Sequence, residues 1–167
     1  PLYGMPVAIK DNIVTTDLNS SCTVPWTGPN QSPQPQCCTS DITLQQFKSL
    51  EAKMDASDPG AATAQGYLGG TANWRTDLYT GRANVLTFSE SIAVDQKLGV
   101  KHMPELKSAT YQDRVDAIFG SQQAYAQAFI DELKQAGVNP RDAWVQSFNT
   151  DDVLYWVANE SGFGKQA

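Results

Sequence analysis

The spacing of apolar positions changes along the chain, and each change predicts an element. In residues 87–99, TFSESIAVDQKLG, Phe88, Ile92 and the run 94–98 supply the apolar surface of a helix. Thr87 stands at the N-cap, Glu90 at the reciprocal position three residues on, and Gly99 at the stop. Residues 100–108, VKHMPELKS, open on a β-branched residue and predict a strand. A polar loop follows, then a helix in SQQAYAQAFIDELKQAG. Ser121 caps it, Tyr125, Ala128, Phe129, Leu133 and Ala136 share one face, and Gly137 closes it. Pro140 breaks the link to a second short strand, residues 143–148. Asn149 or Thr150 caps a last helix, with Asp151 and Asp152 placed favourably for its dipole. Val153, Leu154, Trp156 and Val157 give that helix a buried face, and the tail from Ser161 reads as loose. Helix, strand, helix, strand is the order of a parallel α/β sheet.

The first half is more irregular. Residues 1–14, PLYGMPVAIKDNIV, hold a turn at Gly4 and a short apolar run over residues 7–9, closed by Lys10, Asp11 and Asn12. Residues 15–39 read as a long loop, because Pro25, Pro29, Pro33 and Pro35 exclude a helix or a central strand. Thr43 and Gln46 match a capping box, and Leu44, Phe47, Leu50 and Met54 recur at helical spacing. A short helix is expected within residues 61–68, ended by Gly69 and Gly70, and Trp74 is expected to pack its indole.

Composition narrows the functional classes. The chain has 167 residues, enough for one domain with a core, and a net charge of −6. Lys and Arg form no stripe, which argues against nucleic acid as the partner. No apolar run has membrane length, and none of the residues given is expected to be a signal peptide. The chain begins at Pro1, as expected of a processed product or a fragment. Its cysteines are Cys22, Cys37 and Cys38, without a Cys-x-x-Cys pair, and the lone histidine cannot complete a zinc site with them. Adjacent cysteines point differently, so Cys22 pairs with either Cys37 or Cys38 and pins the proline loop, or all three stay reduced. The disulfide fits an oxidising, extracellular compartment. Asn19-Ser20-Ser21 and Asn159-Glu160-Ser161 match the glycosylation sequon.

Candidate chemistry gathers at the end of the first strand. In parallel α/β sheets, ligands collect at the carboxyl ends of strands. Glu105 and Lys107 are two apart there, so both point to one face. A carboxylate beside an ammonium can hold a metal and a phosphate together. From spacing alone, a strand-end ion pair on a solvated rim is the simpler reading. His102, three residues before Glu105, points to the opposite face and is expected to pack against a helix.

Several pieces, in order, resemble the glycerophosphodiester phosphodiesterase family, in its larger secreted type. They are CTVPWTGP with CCTSDITLQQFKSL, then ANVLTFSESIAVDQKLGVKHMPELKS with its strand ending in Glu-Leu-Lys, then VQSFNTDDVLYW with its Ser-Phe-Asn end. The resemblance runs from about residue 12 to the end of the chain. It implies a (β/α)8 TIM barrel, of which the chain would hold only the middle, since a full barrel takes about 250 residues. It implies hydrolysis of glycerophosphodiesters to glycerol 3-phosphate and an alcohol, assisted by a divalent cation, Mg²⁺ or Ca²⁺. Carried onto this sequence, Glu105 would be a metal ligand, Lys107 would neutralise phosphate oxygens, and Ser147 and Asn149 would line the substrate pocket. The family's His-Arg-Gly and Pro-Glu-Asn-Thr motifs, its Glu-x-Asp pair and its second catalytic histidine are absent. Weak or no activity of the chain alone is therefore expected, and a non-catalytic remnant or binding module on a barrel scaffold is an alternative reading. A partial barrel has open sheet edges, which invite association with another chain.

PLYGMPVAIKDNI, by contrast, resembles the opening of an amidase-signature enzyme, "L-x-G-x-P-x-x-I-K-D-N". In that family the lysine, here Lys10, is the base of a Ser–Ser–Lys triad. The Gly/Ser-rich stretch bearing the serines is missing, and Lys10 at the end of an exposed strand is the simpler reading. The expected organisation is therefore an amidase-like segment over residues 1–14 and a partial phosphodiesterase-like barrel over residues 15–167. Such a junction suggests a fused, mis-assembled or engineered sequence.

Overall fold

A computed structural model describes residues 8–9, 16–52, 56–75 and 84–167. Lys10 and Met54, both singled out above, lie outside the described residues, as does the turn at Gly4. The chain forms two compact units, one from Ala8 to Val85 and one over Leu86–Ala167.

In the first unit, β1 (Ala8–Ile9) pairs antiparallel with β2 (Cys37–Cys38), with Ala8 opposite Cys38. Cys22 is bonded to Cys37, while Cys38 stays outside the disulfide and is fully buried. Successive residues of a strand face opposite ways, so only one of the adjacent cysteines meets Cys22. The proline loop is held by more than the disulfide. Thr23 and Cys38 both donate their backbone N–H to Asp41 Oδ2, at 2.9 and 2.8 Å. Helix α1 (Leu44–Lys48) starts at the expected capping box: Thr43 Oγ1 accepts from Gln46 N, and Gln46 Oε1 accepts from Thr43 N. It is followed by α2 (Ala64–Tyr67). A small core of Cys37, Ile42 and Leu50 is flanked by Leu18, Phe47 and Val85. Trp74 departs from expectation. It is 79 % exposed, with the Arg75 guanidinium over its ring, so its indole is not packed away.

The second unit runs α3 (Phe88–Leu98), β3 (Glu105–Leu106), α4 (Gln112–Phe119), α5 (Gln122–Gln135), β4 (Gln146–Ser147) and α6 (Thr150–Asn159). The local signals act as the sequence suggests. Thr87 and Glu90 form a capping box, Ser121 Oγ accepts from Ala124 N, and Asn149 Oδ1 accepts from Asp151 N. Gly99 ends α3 at φ 67°, a left-handed conformation that a side chain resists. The stretch expected as a polar loop contains a helix, α4. Its single buried side chain, Val115, is too weak a signal to stand out in sequence. The C-terminal tail is packed rather than loose. Phe163 is buried, and Gly164 lies so close to the Trp156 carbonyl that a Cβ would collide with it.

β3 and β4 pair in parallel, Glu105 opposite Gln146 and Leu106 opposite Ser147. The ladder reaches back to His102 and Ala143 through His102 N–Asp142 O and Trp144 N–His102 O bonds of 2.8 and 2.9 Å. The partial (β/α)8 barrel is not formed. Among the described residues the sheets are one antiparallel and one parallel pair, each of two short strands, where a barrel closes eight parallel strands. The α/β element order holds locally, but order alone does not supply neighbours on the outer edges of β3 and β4.

The core of this unit is helical. Tyr125, Ala126, Phe129, Ile130 and Leu133 of α5 are buried, with Ile92, Leu106, Val115, Val145 and Trp156 around them. Phe88 stacks on Phe129 at 4.9 Å and Phe129 on Trp156 at 5.5 Å, which joins α3, α5 and α6. The Trp156 indole donates to Ala126 O. On α6, Trp156 and Asp152 face inward, whereas Leu154 and Val157 are 58 % and 55 % exposed, contrary to the face expected for them. Glu160 accepts from Lys134 and Gln127 of α5, each at 2.6 Å. Burial pushes the Glu160 carboxyl up, but those two hydrogen bonds and the Lys134 charge outweigh it, and the net is a lowered pKa.

Ile130→Ala should lower the free energy of unfolding by about 2–5 kcal/mol, and Leu154→Ala should change it by less than about 0.5 kcal/mol, read from urea denaturation. Glu160 is favoured as carboxylate in the folded state. Its stabilising effect is complete above the ordinary glutamate range and is lost as pH falls through its lowered value. Lys134→Met should move the Glu160 titration upward in carboxyl-detected NMR.

Candidate functional site

The parallel pair sorts its residues onto two faces. His102, Leu106, Ala143 and Val145 are buried on the helix side. Met103, Trp144 and Phe148 are exposed on the other, at 72 %, 40 % and 86 %. Glu105 and Lys107 share that open face, with Lys107 Nζ 2.5 Å from Glu105 Oε1. The Lys107 ammonium also lies 5.7 Å from the centre of the Phe148 ring, and Lys101 lies 5.2 Å from that of Trp144. The carboxylate is largely shielded and the ammonium half exposed, so the pair presents its cation outward.

Two buried groups fix this end of β3. Tyr125 of α5, wholly buried, donates its hydroxyl to the Lys107 carbonyl at 3.1 Å. Burial first, and the nearby Asp152 charge second, push its phenol well above the ordinary tyrosine range, so it stays a donor. Asp152 of α6, 1 % exposed, accepts from Gln122 Nε2 at 2.7 Å and from Ser147 Oγ at 2.8 Å. Beside it, Gln122, Gln123, Asp151, Asp152 and Tyr155 line a polar cavity of about 390 Å³.

The expected site residues are thus distributed unequally. Glu105 and Lys107 come together. Ser147 is paired with Leu106 and turns with it to the helix side, where it bonds Asp152 and accepts from Asn149 N at 3.0 Å. Asn149 caps α6. Neither shares the face of Glu105; the residue opposite Glu105 is Gln146. His102 packs against α3, its Nδ1 3.1 Å from Asp95 Oδ2. Sequence reading missed Tyr125 as a hydrogen-bond donor and Asp152 as a buried acceptor. The available signal was a serine ending a strand five residues before a helix-entry aspartate. Among the described residues no three His, Cys, Asp or Glu side chains are grouped to hold a metal ion.

The fold and this face define a small α/β protein with an ion-paired strand end. The chain is similar to a protein of Arthroderma benhamiae named "Extracellular protein", at 35 % identity over 115 residues, 68 % of this chain. It spans about half of that relative, the match covering 46 % of it. No protein-family model matches the chain. No solved structure matches it. Its disulfide and its extracellular relative make it a secreted protein. No helix among the described residues is long and apolar enough to cross a membrane.

Tyr125→Phe should cost about 0.5–1.5 kcal/mol of stability, measured by urea denaturation. The neutral phenol is the folded form, so its contribution is complete below the ordinary tyrosine pKa of about 10 and is lost as pH rises further. The variant should lose that part of the alkaline destabilisation.

Proposed function

We propose that the chain is a segment of a secreted phosphoric diester hydrolase of the glycerophosphodiester phosphodiesterase type, and that the end of β3 binds the phosphate of the diester. The observation that carries this reading is the Glu105–Lys107 ion pair on the open face of a parallel strand pair. The order of the Glu-Leu-Lys and Ser-Phe-Asn elements along the chain supports it. A half-exposed ammonium steadied by a carboxylate is a suitable partner for a phosphoryl oxygen. The Lys107 ammonium can turn from Glu105 to the phosphate, with the Phe148 ring beside it.

Glu105 alone does not make a site for Mg²⁺ or Ca²⁺, which take several oxygen ligands. Among the described residues no further His, Cys, Asp or Glu side chains are grouped with it to make a three-ligand set, so no step is assigned to a cation. Cleavage also needs an acid and a base, and the expected histidines are not in the sequence. This chain alone therefore binds the diester and turns it over slowly or not at all. Lys10, the residue an amide hydrolase would use, lies outside the described residues.

Titration with glycerol 3-phosphate and glycerophosphocholine, followed by amide NMR, should perturb residues around Glu105 and Lys107. Lys107→Met should weaken binding about tenfold, roughly 1.4 kcal/mol, and Lys101→Met, which removes the partner of Asp142, should not. Equal effects of the two variants, or shifts centred elsewhere, would overturn the assignment.

A further inference from the structure

Three sequons occur in the sequence, at Asn19, Asn30 and Asn159, and a secreted protein can have each of them read. Their surroundings are not equivalent. Asn19 is half-buried and grips Trp26 from both ends of its amide: Oδ1 accepts from Trp26 N at 2.7 Å and Nδ2 donates to Trp26 O at 2.9 Å. A two-point contact of this kind uses the hydrogen on the same side as Oδ1. An N-substituted amide is trans, which puts the substituent on that same side. A sugar on Asn19 would therefore replace the very hydrogen that closes the loop onto Trp26.

Asn30 is exposed but is followed by Gln31, Ser32 and Pro33. The residue before a proline is confined to extended backbone. Ser32 is thereby restricted in bringing its hydroxyl back to Asn30. Gln31 is also engaged, donating to Pro25 O and accepting from Thr27 N.

Asn159-Glu160-Ser161 is different. Asn159 is the last residue of α6, and both Asn159 and Ser161 are exposed. Between them, the Glu160 side chain turns the other way, held by Lys134 and Gln127 of α5. The acceptor amide and the hydroxyl thus lie at a helix end, with the intervening side chain tied down. Asn159 Nδ2 donates to Tyr155 O at 2.9 Å. A glycosylated amide keeps one N–H, so that bond need not be given up.

We propose that Asn159 is the N-glycan acceptor of this chain in a eukaryotic secretory pathway. The host transferase supplies a polyprenyl-pyrophosphate-linked oligosaccharide. Asn159 Nδ2 attacks the anomeric carbon, the bond from that carbon to the pyrophosphate oxygen breaks, and a C–N bond forms. The amide loses one proton, and the polyprenyl pyrophosphate leaves with the bonding electrons.

The test is secretion of the chain from a eukaryotic host, followed by glycopeptide mapping and intact mass before and after amidase release of N-glycans. One glycan is expected, on the Asn159 peptide, with Asn159 converted to aspartate on release. Asn159→Gln and Ser161→Ala should each abolish the shift, and Asn19→Gln and Asn30→Gln should leave it unchanged. Mapping of the unsubstituted chain keeps the result independent of how any variant folds. An unmodified Asn159 peptide, or a glycan that survives Asn159→Gln, would overturn the assignment.

Discussion

A carboxylate out of water must find partners for its oxygens, because an unpaired buried charge is costly. Asp152 meets that requirement by reaching a strand and a helix other than its own. One oxygen accepts from Ser147 at the end of β4, the other from Gln122 in the first turn of α5. The entry of α6, the exit of β4 and the entry of α5 are thereby fixed to a common point. Tyr125, one turn along α5 from Gln122, carries the same constraint to the Lys107 carbonyl and so to the neighbouring strand. The ion pair at the end of β3 is positioned by groups that lie on the other face of the sheet.

This division of labour explains why the open face can be chemically mixed. The helix side of the parallel pair is filled by Leu106, Val145 and the α5 stripe, and that burial supplies the packing of the unit. The other face is relieved of that role, and its aromatics instead sit beside lysines, Trp144 with Lys101 and Phe148 with Lys107. An aromatic face beside an ammonium attracts the cation without carrying a charge of its own, and the carboxylates that meet these two charges are Asp142 for Lys101 and Glu105 for Lys107.

Much of the second unit was legible because its signals are local. The caps at Thr87, Ser121 and Asn149 and the stop at Gly99 each depend on a few neighbouring residues. Helix α4 escaped notice because Val115 is its sole buried side chain, and Leu154 and Val157 were misplaced because a helix with apolar residues on several sides does not say which side is covered. The barrel was a non-local inference. It required strands that pair on both edges, and the residues from 100 to 108 carry no information about who their neighbours are. Glu105 and Lys107 came together because two-residue spacing on a strand fixes the face, whereas Ser147 and Asn149 were drawn into the start of α6, a competition that spacing does not display.

The cysteines of β2 have a practical consequence. All three cysteines of the chain belong to the unit ending at Val85; two are oxidised and Cys38 is sealed from solvent. A thiolate must reach the reagent to react, so an alkylating probe meets no accessible thiol until that unit opens. Leu86–Ala167 contains no cysteine and is silent to the same probe. The rate at which label accumulates is thus a clock for the opening of one half of the chain, read without interference from the other.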